Sequence, residues 1–296
     1  MSNDDQPDPK VRALYDAYCH GAIDRREFLR RAAAMSVVGG VSALALAQAM
    51  LPRYAQAQTI SFTDERIKPA YVSYPSPGGT SGEMRGYLVR PSGEGPLPVV
   101  LVIHENRGLN PYIEGVARRV AVAGFLALAP DGLSPVGGYS GNDDDGREMQ
   151  AKLEEAKLRQ DMINSAKYLK THESSTGRLG AVGFCWGGGM VNHLAVTLGD
   201  GLDAGVPFYG AAPDAADVAK IEAPLLIQYA ENDERINAMR EAFEAALKAS
   251  DVEYTMHVYP GTSHGFHNNS TPRYDEDAAK LAWERTLEFF AKALKS

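Results

Sequence analysis

Cysteine is scarce in this chain: only Cys19 and Cys185 occur among its 296 residues. Two cysteines can close at most one disulfide, so a small scaffold held together by several disulfides is excluded. The sequence also lacks internal repeats and low-complexity segments, which argues against repeat and collagen-like architectures. What remains is a composition of 44% hydrophobic and 23% charged residues, typical of an ordinary globular protein.

Positive charge is in deficit, because 30 Lys and Arg residues stand against 38 Asp and Glu residues. The formal net charge of -8 argues against a nucleic-acid partner, which requires a basic surface. The expected partner is a small molecule, and the sequence leaves the oligomeric state open.

The first 57 residues differ in character from the rest. Arg25 and Arg26 form a twin-arginine pair, and no charged residue lies between Arg31 and Arg53. The small residues of Ala55–Ala57 then form a cleavage-like site. A basic region, an apolar region and a small-residue site are the three parts of an export signal. We therefore predict a twin-arginine signal over residues 1–57, one domain over 58–296, a periplasmic location, and membrane contact only through that signal. A retained membrane anchor or an ordinary amphipathic helix is the alternative.

After residue 57, short apolar runs alternate with longer amphipathic ones, which predicts an α/β fold with right-handed crossovers. Several of the short runs are continuously apolar, as expected for parallel strands that are covered on both faces. The predicted strands are Ala70–Tyr74, Met84–Arg90, Val99–His104, Phe125–Ala129, Leu179–Phe184, Ala204–Tyr209, Leu225–Ala230 and Tyr254–Tyr259. The predicted helices are Pro111–Ala123, Arg147–Thr171, Trp186–Thr197, Ile236–Ser250 and Asp275–Leu294.

A Gly- and Pro-rich stretch, Asp131–Gly146, is predicted to form a loop over the strand ends. The three consecutive acids Asp143, Asp144 and Asp145 within it are interpreted as a solvated part of that loop.

The sequence Gly183-Phe184-Cys185-Trp186-Gly187 follows a predicted strand and precedes a predicted helix. This is the nucleophile-elbow pattern with a cysteine in the place of serine. The flanking glycines are needed because a Cβ would clash in so sharp a turn. The helix N-terminus favours a thiolate, and the amide of Trp186 can donate to an oxyanion.

The other members of a catalytic triad should follow in the order acid, then histidine. Three acids, Glu231, Asp233 and Glu234, follow the strand Leu225–Ala230, and Asp233 is the favoured candidate. His264 lies in a later loop between small residues and is the candidate base, with His267 as its rival. His264 would take the proton of Cys185, and Asp233 would orient His264.

With these residues placed, the chain from about Thr80 to Phe290 resembles a dienelactone hydrolase (carboxymethylenebutenolidase), a cysteine-nucleophile branch of the α/β-hydrolases. The matching stretches are His104–Gly108, Ala129–Asp131, Gly183–Gly188, Pro207–Gly210, Asn232–Asp233 and Ser263–Phe266. The resemblance implies an α/β-hydrolase fold, with a mostly parallel sheet of about eight strands and helices on both faces. It also implies that Cys185, Asp233 and His264 form the triad, and that a thioester forms during hydrolysis of a small ester or lactone.

Further roles come only from this resemblance. It implies that Glu105 lies beside the thiol and holds it protonated until substrate binds, and that the amide of Asn106 is the second oxyanion donor. Well-known members bind a substrate carboxylate with two arginines, but Asn268 stands at one of these positions and the other has no arginine. Arg107 and Asn268 are therefore the candidate substrate-binding residues, with Arg273 more distant.

No cofactor is expected, and no metal site is predicted, because the histidines lack the paired spacing of a zinc helix. The alternative function is a non-catalytic ligand-binding module that kept the fold, since fold alone does not establish activity. A redox-sensing thiol is a third possibility, although the segment after residue 57 offers no second cysteine to resolve it.

Overall fold

The computed structural model describes residues 9–19, 21–23, 25–35 and 52–295. These residues divide into two compact units. The smaller unit comprises the N-terminal residues up to Gln56 together with Ser270–Pro272, and the larger one comprises Ala57–Asn269 and Arg273–Ser296.

Before the first strand, the described residues form three helices: α1 (Pro9–Cys19), α2 (Arg25–Met35) and the short α3 (Tyr54–Ala57). The first two share a small apolar cluster, in which the rings of Tyr18 and Phe28 stack with centroids 4.9 Å apart. The predicted twin-arginine pair begins α2, whereas most of the predicted apolar region, residues 36–51, lies outside the described residues. None of the helices in the described part of the chain combines the length and apolar character needed to cross a membrane.

The larger unit is built on one eight-stranded sheet. Its strands are β1 (Ile67–Ser76), β2 (Gly82–Pro91), β3 (Leu97–Ile103), β4 (Leu126–Pro130), β5 (Ser175–Phe184), β6 (Ala204–Phe208), β7 (Leu225–Asn232) and β8 (Tyr254–Ser263). They lie in the order β1-β2-β4-β3-β5-β6-β7-β8. The pairs β1–β2 and β2–β4 are antiparallel, and every other pair is parallel.

Helices cover both faces of this sheet. They are α4 (Pro111–Val122), α5 (Asp143–Ala151), α6 (Glu155–Lys170), α7 (Trp186–Leu198), α8 (Glu234–Asn237), α9 (Arg240–Ala249) and α10 (Glu276–Leu294). In β5, Leu179 and Ala181 join a core cluster that includes side chains of α6 and α7. Gly180 faces the other way, because a Cβ there would come within 2.8 Å of the Phe290 ring in α10. The predicted α/β-hydrolase fold is confirmed.

Three details of the predicted elements are wrong. Ile236–Ser250 is not one helix, because α8 ends at Asn237 and α9 begins at Arg240. Arg147–Thr171 is not one helix but parts of α5 and α6, separated at residues 152–154. The acids Asp143–Asp145 do not lie in a loop but form the first turn of α5. Asn142 caps this helix by accepting a hydrogen bond from the Asp144 amide at 2.9 Å. The acids in the first turn stabilise the helix through their interaction with its dipole.

Candidate active site

Cys185 occupies a strained position between β5 and α7. Its φ of 58° and ψ of -115° lie in a region that residues with a Cβ rarely adopt. The turn is tight enough that a Cβ on Gly183 would lie 2.1 Å from the Gly187 carbonyl oxygen. The amide of Cys185 donates to the carbonyl of Phe208 at 3.1 Å, which ties the turn to β6. The result is a half-exposed thiol at the carboxyl end of a central strand.

The register of the sheet places Glu105 beside Cys185. Ile103 of β3 pairs with Gly183 of β5, so Glu105 and Cys185 both lie two residues beyond a paired position. The two strands are parallel neighbours. From β3 the chain adds β4 on one side and then β5 on the other, and α/β sheets open a ligand crevice at such a switch point. A Cβ on Gly187 would lie 2.4 Å from the Ile103 carbonyl, so the start of α7 packs directly on the end of β3.

The same geometry brings Asp233 and His264 together at the ends of β7 and β8. Asn232 pairs with Ser263, and the following residues emerge side by side. His264 Nδ1 donates to Asp233 Oδ2 at 2.5 Å, and both side chains are almost completely buried. The second carboxylate oxygen, Oδ1, accepts from the Ile236 amide at 3.3 Å as the N-cap of α8. Two partners therefore fix the orientation of the Asp233 carboxylate.

The two rival acids are placed differently. Glu231 and Glu234 are exposed, and Glu231 accepts a hydrogen bond from the Gly261 amide at 2.8 Å. Of the three candidates, Asp233 is the one that contacts His264.

His264 also lies beside Cys185, so sulfur, imidazole and carboxylate form one connected series. Burial disfavours the imidazolium, but the negative charge available on Cys185 and the hydrogen bond with Asp233 outweigh it. The net effect raises the pKa of His264 above its ordinary value. An imidazole in this position is suited to accept the thiol proton.

His267, the rival base, lies in a different environment. Its Nδ1 is 2.7 Å from the hydroxyl of Tyr112, and its ring stacks on Phe184 with centroids 5.1 Å apart. Burial, assisted by the positive charge of Arg119, lowers the pKa of His267 well below its ordinary value. His267 is therefore a neutral histidine on the α4 side of the sheet, packed among aromatic rings.

Glu105 is a buried carboxyl whose Oε2 accepts a hydrogen bond from Asn268 Nδ2 at 2.9 Å. Burial raises its pKa, and the nearby Cys185 adds to this effect while Arg107 and Arg273 oppose it. Asn268, predicted as a substrate-binding residue, thus contacts the candidate thiol-modulating acid.

His104 holds the backbone beside Glu105 and was not anticipated from the sequence. Its Nδ1 lies 2.5 Å from the Glu105 carbonyl oxygen, and its Nε2 accepts from the Gly132 amide at 3.1 Å. Since Nε2 accepts, Nδ1 carries the proton, and burial lowers the pKa of this histidine. Its ring stacks on Trp186, which begins α7. The sequence signal was present, because His104 begins one of the matching stretches.

Arg107 is buried and engaged with α5. Its Nη1 donates to Asp143 Oδ2 at 2.9 Å, while Asp143 Oδ1 accepts from the Tyr139 hydroxyl at 2.8 Å. Gly146 lets α5 approach this closely, because a Cβ there would lie 2.4 Å from the Arg107 carbonyl oxygen. The interpretation of Asp143 as a solvated acid is wrong, since it forms a largely buried ion pair with Arg107.

The remaining predicted residues lie around the same sheet edge. Trp186 is the first residue of α7, directly after the thiol, and Asn106 follows Glu105; both are half-buried. The guanidinium of Arg273 packs over Gly265, where an added Cβ would lie 2.9 Å from its Cζ. Among the residues that the structure describes, no group of three His, Cys, Asp or Glu side chains is arranged to hold a metal ion.

The sheet order and the elbow define the class of this protein as an enzyme of α/β-hydrolase fold. A sequence model of the dienelactone hydrolase family matches residues 84–294, so the chain belongs to the dienelactone hydrolase family and is a carboxylic-ester hydrolase. The predicted family resemblance is confirmed. A second model, described as YqhI-like, matches residues 3–36.

Individual relatives agree with the family assignment. The chain is 31% identical over 244 residues to a protein from Salmonella typhi assigned as a carboxymethylenebutenolidase, covering 77% of this chain and 89% of the relative. It is 60% identical over 115 residues to a hydrolase fragment, YghX, of Escherichia coli K12, covering 38% of this chain and 97% of the fragment. A crystal structure from Klebsiella pneumoniae, assigned as a dienelactone hydrolase, superposes with a TM-score of 0.66 at 28% identity, covering 75% and 99% of the two chains.

Proposed function

We propose that this enzyme hydrolyses small esters or lactones through a covalent thioester on Cys185. The observation that carries the proposal is the strained elbow position of Cys185 beside the buried His264–Asp233 pair. Family membership favours an enzyme over the alternative of a non-catalytic binding module. The carboxymethylenebutenolidase relatives suggest lactones within this class.

In the first half-reaction, His264 takes the proton of Cys185, and the sulfur forms a bond with the substrate carbonyl carbon. The carbonyl oxygen becomes an oxyanion, which the backbone amides of Trp186 and Asn106 stabilise. The carbon–oxygen bond to the alcohol then breaks as His264 returns the proton to the leaving oxygen. The product is a thioester on Cys185. An ester releases a separate alcohol, whereas in an opened lactone the hydroxyl group stays on the acyl chain.

In the second half-reaction, water attacks the thioester while His264 accepts a proton from it. The carbon–sulfur bond then breaks, His264 returns the proton to the sulfur of Cys185, and the acid product is released. Asp233 keeps the imidazole in the required orientation and stabilises its charged form throughout.

Glu105 modulates the thiol in this proposal. A carboxylate next to Cys185 disfavours the thiolate by like-charge repulsion, so the resting thiol keeps its proton. Arg107 supplies positive charge near Glu105 and is the candidate group for a substrate carboxylate.

The test compares the full-length wild type with Cys185→Ala on an activated acyl ester and on a small lactone. Cys185→Ala should lose at least about 10³-fold in kcat/KM, because the nucleophile is absent. Cys19→Ala is the matched control, since it removes the other cysteine and should keep wild-type activity. Mass spectrometry of rapidly quenched wild-type enzyme should show the acyl group on Cys185. Wild-type rates in Cys185→Ala would exclude the proposed mechanism.

The sequence also supports a second proposal, that residues 1–57 direct export to the periplasm. What supports it is the twin-arginine pair, followed by an uncharged stretch and a small-residue site.

A further inference from the structure

Two side chains on one short turn reach the acids on either side of Cys185. The turn runs from His264 to Asn268 and is closed by backbone hydrogen bonds from Phe266 to Ser263 and from Asn268 to Gly265, each 3.0 Å. His264, at its start, contacts Asp233, and Asn268, at its end, contacts Glu105. The same turn therefore fixes both the candidate base and the candidate thiol-modulating acid.

The contact between Asn268 and Glu105 is a buried one. Asn268 is fully buried and Glu105 is 2% exposed, and the two are 163 residues apart in sequence. In such surroundings water does not compete for the carboxyl oxygen, so the amide donor determines its direction. The donor is neutral, and it holds the carboxyl group without adding a full positive charge.

We propose that Asn268 is a positioning residue that holds the Glu105 carboxyl group against Cys185 and thereby sets the pH at which the thiol ionises. The inference deepens the proposed function and rests on it. It assigns Asn268 to the control of the nucleophile and not to the binding of a substrate carboxylate.

Several charged or titratable groups surround Glu105, and they also influence its protonation. They are Arg107, Asp143, Cys185, Arg273, Tyr112 and Tyr209, and His264 faces the thiol from the other side. Burial raises the pKa of Glu105 and the nearby Cys185 adds to this effect, so the charge states of the carboxyl and the thiol are coupled. The two groups titrate as a pair, and a change at either one shifts both.

The direction of the effect follows from this coupling. The hydrogen bond from Asn268 stabilises the charged carboxylate of Glu105, and that charge opposes the thiolate of Cys185. Without the donor, Glu105 keeps its proton to a higher pH. Its negative charge then no longer opposes the thiolate, and the sulfur of Cys185 ionises at a lower pH. Asn268→Leu keeps a similar side-chain volume and removes the donor.

The experiment measures the rate of iodoacetamide alkylation of Cys185 in the full chain between about pH 5 and pH 9. Mass spectrometry of the peptide that contains Cys185 keeps Cys19 out of the signal. Asn268→Leu should move the midpoint down by about half a unit to one unit, which is part of what one hydrogen bond to a charged group can supply. Asn269→Leu is the matched control, because Asn269 Nδ2 donates to the Ala57 carbonyl oxygen and not to Glu105.

A double-mutant cycle separates this role from a merely structural one. Glu105→Gln should also lower the midpoint, and adding Asn268→Leu to it should cause no further shift. Asn268→Ser, whose hydroxyl is too short to take over the contact, should shift the midpoint as Leu does and serves if the Leu variant does not fold. Asn268→Gln, which keeps an amide donor, should restore at least part of the wild-type profile.

Unchanged midpoints in Asn268→Leu and Asn268→Ser would overturn the role of Asn268. A shift that persists in the Glu105→Gln background would overturn it as well, because the effect would not pass through Glu105. Neither result bears on Cys185→Ala, whose activity tests the proposed function separately.

Discussion

Arg107 Nη1 lies 2.9 Å from Asp143 Oδ2, and the two side chains are only 5% and 12% exposed. This pair joins the residue two positions after Glu105 to the first turn of α5. A substrate carboxylate that approaches Arg107 has to compete with Asp143 for the same guanidinium, so the pair can set the preference between charged and neutral substrates.

We predict that Asp143→Asn raises kcat/KM for a carboxylate-bearing ester relative to a neutral ester. The expected change in this ratio is about tenfold, or about 1.4 kcal/mol, because the carboxylate of Asp143 no longer competes with the substrate for Arg107. Arg107→Met should change the ratio in the opposite direction. Asp144→Asn is the control, since Asp144 pairs with Arg147 at 3.0 Å. Equal ratios in all three variants would remove Arg107 from substrate recognition.

Asp233→Asn should lower kcat by about 10³- to 10⁴-fold, because the amide no longer holds His264 in the required tautomer or stabilises its charge. Steady-state kinetics with an activated ester measures the loss. The exposed neighbours provide matched controls, and Glu231→Gln and Glu234→Gln should keep wild-type kcat. A comparable loss in either control, with Asp233→Asn active, would reassign the acid.

His267 should make the protein sensitive to acid. The pKa of the buried ring lies well below its ordinary value in the folded state, whereas in the unfolded chain it is about 6.5. Below about pH 6.5 the unfolded state therefore binds a proton that the folded state does not, and stability falls as the pH falls. The contribution is up to about 1.4 kcal/mol per pH unit.

His267→Gln removes this proton-binding group. Urea unfolding at about pH 7.5, 6.5 and 5.5 should show a shallower loss of stability in the variant than in the wild type. Identical slopes for the two proteins would show that His267 contributes nothing to acid sensitivity.

Asp161 is a fully buried carboxylate that ties the β1–β2 connection to α6. It accepts hydrogen bonds from the hydroxyl of Ser76 at 2.5 Å, and from the hydroxyl and amide of Thr80 at 2.7 and 3.0 Å. Asp161→Leu leaves these donors unpaired, so the free energy of unfolding should fall by about 3 kcal/mol in urea titrations. Asp217→Ala removes an exposed ion pair with Lys220 and should change stability by no more than about 0.5 kcal/mol. A loss at Asp161 as small as that of the control would contradict the assigned contacts.

Replacing Arg25 and Arg26 by Lys should keep the protein in the cytoplasm, because the twin-arginine route requires the pair. Cell fractionation followed by immunoblotting measures the distribution. The double variant Arg30→Lys, Arg31→Lys changes two arginines outside the pair and should be exported normally. Normal export of the Arg25 and Arg26 variant would rule out the twin-arginine assignment.

The positions of all eight strands could be predicted from the sequence, because apolar runs such as Val99–His104 report burial on both sheet faces. The break between α5 and α6 could not be predicted in the same way. No Gly or Pro separates them, and α5 ends at Ala151 without a local signal. The packing of Leu153 against the core is a tertiary contact that periodicity does not encode.

The amino-acid sequence by itself determined the elbow, because a cysteine between closely spaced glycines at a strand-to-helix junction is a local pattern with a steric cause. It also supplied a short set of candidate acids and histidines at the carboxyl ends of the strands. Only the tertiary structure shows which of these side chains are in contact. Asp233 contacts His264 while its neighbours face solvent, and Asn268 reaches Glu105 across 163 residues of chain. Such contacts depend on strand register and on the path of distant loops, so they arise when the sheet assembles and leave no trace in local sequence.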